Sequence, residues 1–188
     1  MNDFFTASSR SIKVGDIAVH QLQVHNFDEW SGIAQVIKDF LSNHPDETMQ
    51  KVFEAHPFES TQLIAYSLNY SDEQTVELFK QGDTANCQLL NAVIKVNDAF
   101  FSEPKQKHRD DVDPRKKNSW YDLFQLLVSN GHSDDSIMQM SYGSFRYYLK
   151  ASQKAERMKM RNLAIATRAQ NAINKKFNDF IKSLEKES

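Results

Sequence analysis

The 188-residue sequence predicts a mainly α-helical protein. A small N-terminal β-hairpin packs on a helical domain, and a linker leads to a C-terminal helical module with a long helix. Three observations carry this expectation. Apolar residues recur every three or four positions through most of the chain, which is the spacing of a helix face. Only five Gly and four Pro are present, so tight turns are few. One short stretch near the start alternates with period two instead.

That stretch is "SIKVGDIAVHQLQV". Ile12 and Val14 precede Gly15-Asp16, and Ile17 and Val19 follow, which suits a hairpin with a two-residue type I′ or II′ loop. Two strands alone are marginal and need a covering helix. "NFDEWSGIAQVIKDFLSN" is expected to supply it. Asn26 can cap its start, Asp28 and Glu29 sit at the positive end of its dipole, and Phe27, Trp30, Ile33, Ala34, Ile37, Phe40 and Leu41 form one stripe.

Three shorter helices follow. The one after Pro45 turns Met49, Val52 and Phe53 inward, and the next buries Leu63, Ile64 and Leu68. The third opens with Ser71 and Gln74 at capping-box spacing and closes at Gly82. "TANCQLLNAVIKVNDAFF" is the most apolar helix, with Cys87, Leu90, Val93, Ile94, Val96, Phe100 and Phe101, and is expected at the centre of a first domain spanning 1–101. Residues 102–118, "SEPKQKHRDDVDPRKKN", combine two prolines with mixed charge and read as a linker. The C-terminal module spans 119–188. No Gly or Pro occurs after Gly143, so one long helix, or two with a soft break, runs towards Leu184. Its late stripe is Met158, Ile165, Ala169, Ile173, Phe177, Phe180 and Leu184, and a stripe needs a partner surface.

The net charge of -2 conceals an asymmetry. Residues 1–103 hold 6 Lys/Arg against 15 Asp/Glu, near -9, while residues 142–188 hold 11 against 4, near +7. An acidic body with a basic tail suggests two binding surfaces of opposite sign, or two solvated faces. No apolar run reaches the roughly 18 residues of a membrane span, and "MNDFFTASSR" lacks the pattern of a signal peptide. Cys87 stands alone, which fits a reducing cytosol.

Signatures of catalysis are missing. The six histidines lack metal-ligand spacing, and neither a phosphate-loop glycine cluster nor a nucleophile elbow occurs. Asp134 and Asp135 follow Ser133 and read as a helix start. No catalytic residue, metal site or cofactor is expected.

"SWYDLFQLLVSNGHSDDSIMQMSYGSFRYYLKAS" (119–152) has the outline of a helix-turn-helix. In one register "DDSIMQMS" would read DNA, which sets Asp134 and Asp135 against phosphates and bulky Leu127 at the helix crossing. In the other, the helix from Gly143 reads DNA through Arg146, Lys150 and Lys154. Its charge is right, but the preceding connection is short and the basic residues read as spread around the helix. The pattern therefore favours protein over nucleic acid. Trp120, Phe124, Phe145, Ile165, Ile173 and Phe177 are the expected contact or packing residues.

The succession of "IKVGDIAVHQLQV", "NFDEWSGIAQVIKDFL", a charged linker and "WYDLFQLLVSNGHSDDSIMQMSYGSFRYYLKASQKAERMKMRNLAIATRAQNA" resembles tail assembly chaperones of long-tailed bacteriophages, including the C-terminal extension that some carry. The matching residues in the extension are Leu123, Leu126, Leu127, Gly131, Ser133, Ile137, Met140, Leu149 and Ala151. The resemblance implies a non-catalytic chaperone that binds the tape measure protein and recruits tail tube protein. It also implies residence in the cytoplasm of the infected bacterium and absence from the mature virion. The N-terminal domain would hold the tape measure chain or self-associate into a homo-oligomer. The rivals are a DNA-binding regulator and a phage protein that meets a host defence factor.

Overall fold

The computed structural model describes residues 10–80, 83–102, 119–170 and 177–179. Helices dominate, preceded by one two-stranded antiparallel hairpin, as the sequence predicts. Strands β1 (Ser11–Val14) and β2 (Ile17–His20) pair with Val14 opposite Ile17 and Ser11 opposite His20. Gly15 has a φ of 59° while Asp16 keeps a negative φ, the type II′ pattern.

A 3-10 turn at Val24–Asn26 leads into α1 (Phe27–Asn43). The Asn26 side chain makes no capping bond, and its Oδ1 is buried without a partner among the described residues. The expected cap is corrected accordingly: the 3-10 turn, rather than a side chain, starts this helix. Trp30, Ala34 and Ile37 are buried, with Phe27, Ile33, Phe40 and Leu41 half-buried beside them, so the predicted stripe faces the core.

Thr48 caps α2 (Met49–Ala55), accepting from the Lys51 amide. Helix α3 (Pro57–Leu68) has Pro at its first position, where no amide hydrogen is needed. It ends at Asn69, whose φ of 54° is left-handed, with the Tyr70 amide reaching back to the Ala65 carbonyl. Helix α4 (Asp72–Lys80) opens with the predicted box: the Ser71 amide donates to Gln74 Oε1 at 2.9 Å and the Gln74 amide to Ser71 Oγ at 3.4 Å. Its expected stop at Gly82 lies outside the described residues.

Helix α5 (Asp83–Val96) is central, touching α2, α3 and both strands. The hairpin is covered mainly by α3 and α5, not by α1 as the sequence suggests. Its tethers are polar as well as apolar. Ser67 Oγ donates to the His20 carbonyl, and Gln21 Nε2 donates to the Val96 carbonyl at 3.1 Å. The apolar run to Phe101 is two helices, not one. Asn97 separates α5 from α6 (Asp98–Phe101); its Nδ2 donates to the Val93 carbonyl at 2.9 Å and its Oδ1 accepts from the Leu22 amide at 2.8 Å. The core built on Trp30, Ile37, Leu63, Ile64, Leu90 and Val93 is fully buried. Each such side chain contributes about 1.5–3 kcal/mol of transfer free energy.

Most of the expected linker, residues 103–118, lies outside the described residues. Beyond it come α7 (Trp120–Ser129), α8 (Asp134–Met138) and α9 (Tyr142–Gln170). One compact unit extends to Tyr148, and a second unit begins at Leu149.

Candidate functional site

Within the compact unit, the segment after the hairpin is stapled to the segment before α9. The Val24 amide donates to the Met140 carbonyl at 2.9 Å and the Tyr142 amide to the Leu22 carbonyl at 3.0 Å, closing a bridge between Gln23 and Ser141. Trp30 Nε1 donates to the Gln23 carbonyl at 2.8 Å, which fixes the same strand from the core side. Around this strap the aromatic rings converge. Phe27 stacks on Tyr142 and meets Trp30 edge-on and Trp120 at a tilt, with centroids 5.6, 4.9 and 4.7 Å away. Trp120 also stacks on Phe145 at 5.4 Å.

Local sequence holds Trp120 in place. Ser119 and Asp122 form a reciprocal capping box, so Trp120 enters α7 with a fixed backbone direction. The Ser119 amide and hydroxyl both bond the Asp122 carboxylate, which lowers its pKa from the ordinary 3.8. Ser133 caps α8 through the Ser136 amide, with Asp134 and Asp135 in the first turn. The acidic pair therefore acts as a helix start, as the sequence predicts. Gly131, at φ 93°, makes the turn between α7 and α8.

The second unit carries a long exposed helix face, while the compact unit also exposes Phe58, Val76 and Tyr121. Every residue of α9 from Lys154 through Arg168 is exposed. Met158, Met160 and Leu163 are 52%, 69% and 68% accessible. At 3.6 residues per turn, Lys150, Lys154, Arg157, Arg161 and Arg168 fall within about 60° of arc, and Lys159 points elsewhere. The expectation of basic residues spread around the helix is thus corrected: the departures of 3.6 from whole numbers bring all but Lys159 back to one edge. Beside that edge, Ala151, Ala155, Met158, Asn162 and Ile165 occupy about 80°. Among the described residues no carboxylate pairs with these five basic side chains.

The six predicted contact residues divide. Phe145 is 1% accessible and belongs to the core, and Phe124 is half-buried against it. Trp120 exposes 44% of its surface while stacking on two rings. Ile165 and Phe177 are exposed at 37% and 39%, and Ile173 lies outside the described residues, as do Phe180 and Leu184. Sequence reasoning missed Met160, Leu163 and the single basic edge; a helical wheel drawn through 150–168 finds the edge, and sets Met160 and Leu163 away from the stripe of Met158 and Ile165.

Of the DNA-reading candidates, Lys150 and Lys154 lie on the exposed edge. Arg146 belongs to the compact unit, where Nη1 donates to the Tyr142 hydroxyl at 3.1 Å. Ser141 through Phe145 are all buried. A reading helix contacts base edges with its N-terminal residues, and here that turn is occupied by core packing. Among the described residues no group of three or more His, Cys, Asp or Glu could hold a metal ion, and no helix is long and apolar enough to cross a membrane. Comparisons with protein-family models, curated proteins and solved structures return no match to this chain.

Proposed function

We propose that this protein is a non-catalytic tail assembly chaperone that binds the tape measure protein and recruits tail tube subunits. It would act in the cytoplasm of the infected bacterium and be left out of the virion. The supporting observation is the arm of α9: a helix exposed from Lys154 through Arg168 with Met158 and Ile165 on one face and turned to solvent. Amphipathic helices are recognised by laying apolar residues against apolar residues, with charge at the margins, and this needs no catalytic pocket. A long helical client aggregates through its own exposed stripe unless another helix covers it, and the arm offers that cover.

Co-expression with the tape measure protein tests the proposal. A soluble complex is expected, and it should be lost when Met158 and Ile165 are both changed to Glu. An insoluble tape measure protein, with no complex isolated, defeats the proposal. A duplex-DNA-binding regulator would instead show binding that weakens steeply with salt and disappears on reversing Lys150 and Lys154.

A further inference from the structure

The arm carries a heptad pattern with charge of one sign beside it. Ala151, Ala155, Met158, Asn162 and Ile165 are spaced four, three, four and three apart, the alternation of a coiled-coil seam. With Ala155 and Asn162 at a, and Ala151, Met158 and Ile165 at d, the g positions are Lys154, Arg161 and Arg168. All three are basic and exposed. The c positions next to them include Lys150 and Arg157, which deepens the same edge.

Flanking charges at e and g select partner and orientation. In a parallel pairing of two copies, Lys154 would face Lys159 of the other chain. In an antiparallel pairing, g faces g, so the basic residues oppose one another. Self-pairing through this seam is repelled in either orientation. A neutral partner leaves the charge unused, while an acidic flank neutralises it and excludes the like-charged alternative. Nucleic acid would satisfy the charge but would leave the adjoining Met158 and Ile165 stripe in water.

Resting on the protein-binding proposal above, we infer that the arm takes a second, foreign amphipathic helix whose flank facing Lys154, Arg161 and Arg168 is acidic. The seam sets two further requirements. Ala151 and Ala155 are small, so the occupant brings bulky apolar knobs to them. Asn162 sits in mid-seam, so the occupant carries a polar residue opposite, which fixes register at some cost in affinity.

The test uses the full chain and labelled helical peptides of about four heptads, with identical apolar seams and flanks of Glu, Gln or Lys. Binding is followed by fluorescence anisotropy at about 0.15 M and about 1 M salt. The Glu-flanked peptide binds at least roughly tenfold more tightly than the Gln-flanked one at low salt, and the gap narrows at high salt. The variant Lys154→Glu/Arg161→Glu/Arg168→Glu reverses the order in favour of the Lys-flanked peptide. Because those positions are exposed, its helicity and unfolding should match the parent. Should the Glu variant misfold, the Gln triple variant decides the same point by abolishing the preference without reversing it.

Equal affinity for Glu- and Gln-flanked peptides overturns the inference. So does binding of duplex DNA more tightly than the Glu-flanked peptide, or dimerisation of the chain that Ile165→Asp abolishes. Failure of all peptides alongside a soluble tape measure complex removes the acidic-helix inference and leaves the chaperone proposal standing. Peptide discrimination without that complex does the reverse.

Discussion

Tyr142 stacks on Phe27 with ring planes 11° apart and centroids 5.6 Å apart. The pair joins the first turn of α1 to the first turn of α9 within one compact unit. Trp30 and Phe100 meet Tyr142 edge-on, so the stack is one side of a larger aromatic cluster. The backbone strap between Leu22–Val24 and Met140–Tyr142 runs beside it. The start of the long helix is therefore held firmly, and its later turns are exposed.

The stack itself is measurable. Phe27→Leu and Tyr142→Leu keep most of the apolar volume and remove ring-on-ring contact. A double-mutant cycle by chemical denaturation should give a coupling of about 0.5–1.5 kcal/mol beyond the single effects. Strict additivity would mean that the rings merely fill space.

Asn97 is a second polar anchor. Replacing it with Leu leaves the buried Leu22 amide without its acceptor at Oδ1, a loss of about 1–3 kcal/mol. Amide exchange at Leu22 should accelerate more than at Leu63. Unchanged exchange at Leu22 would refute the assignment.

Asp122 predicts a pH dependence for α7. Its bonds to Ser119 lower the carboxyl pKa in the folded state, so the folded state binds its proton less readily than the unfolded one. The stabilisation is complete above the ordinary value of 3.8 and is lost as pH falls through the lowered folded value. Asp122→Asn should flatten this part of the acid-unfolding profile followed by tryptophan fluorescence, to which Trp30 and Trp120 both contribute. A profile identical to the parent would show that the box contributes nothing.

Core and arm should respond differently to truncation. Leu90 is fully buried, and Leu90→Ala should lose about 2–5 kcal/mol. Ile165→Ser on the arm should change unfolding free energy by less than about 0.5 kcal/mol. Comparable losses at both sites would mean that the arm is covered in the free protein.

Much of this was legible because it is local. The period-two alternation around Gly15 marked the hairpin, and Ser71 with Gln74, and Ser133 with Asp134, marked helix starts by chemistry confined to one turn. The break at Asn97 was hidden, since Asn costs little within a helix and its partner there is the distant Leu22 amide. Asn26 misled for the converse reason: a residue suited to capping stands before α1 without capping it. The meeting of Phe27, Trp120 and Tyr142 leaves no periodic trace, because each ring sits on a separate element. The basic edge of α9 was present in the residue spacing and emerges only when the residues are set on a helical wheel.

Hydrogen–deuterium exchange on the complex with co-expressed tape measure protein tests the central claim most directly. Exposed helix amides exchange readily, and a docked helix slows them. Slowed exchange is predicted across residues 150–168, with little change in α3 and α5. Unchanged exchange in 150–168, with protection confined to the compact unit, would contradict the claim.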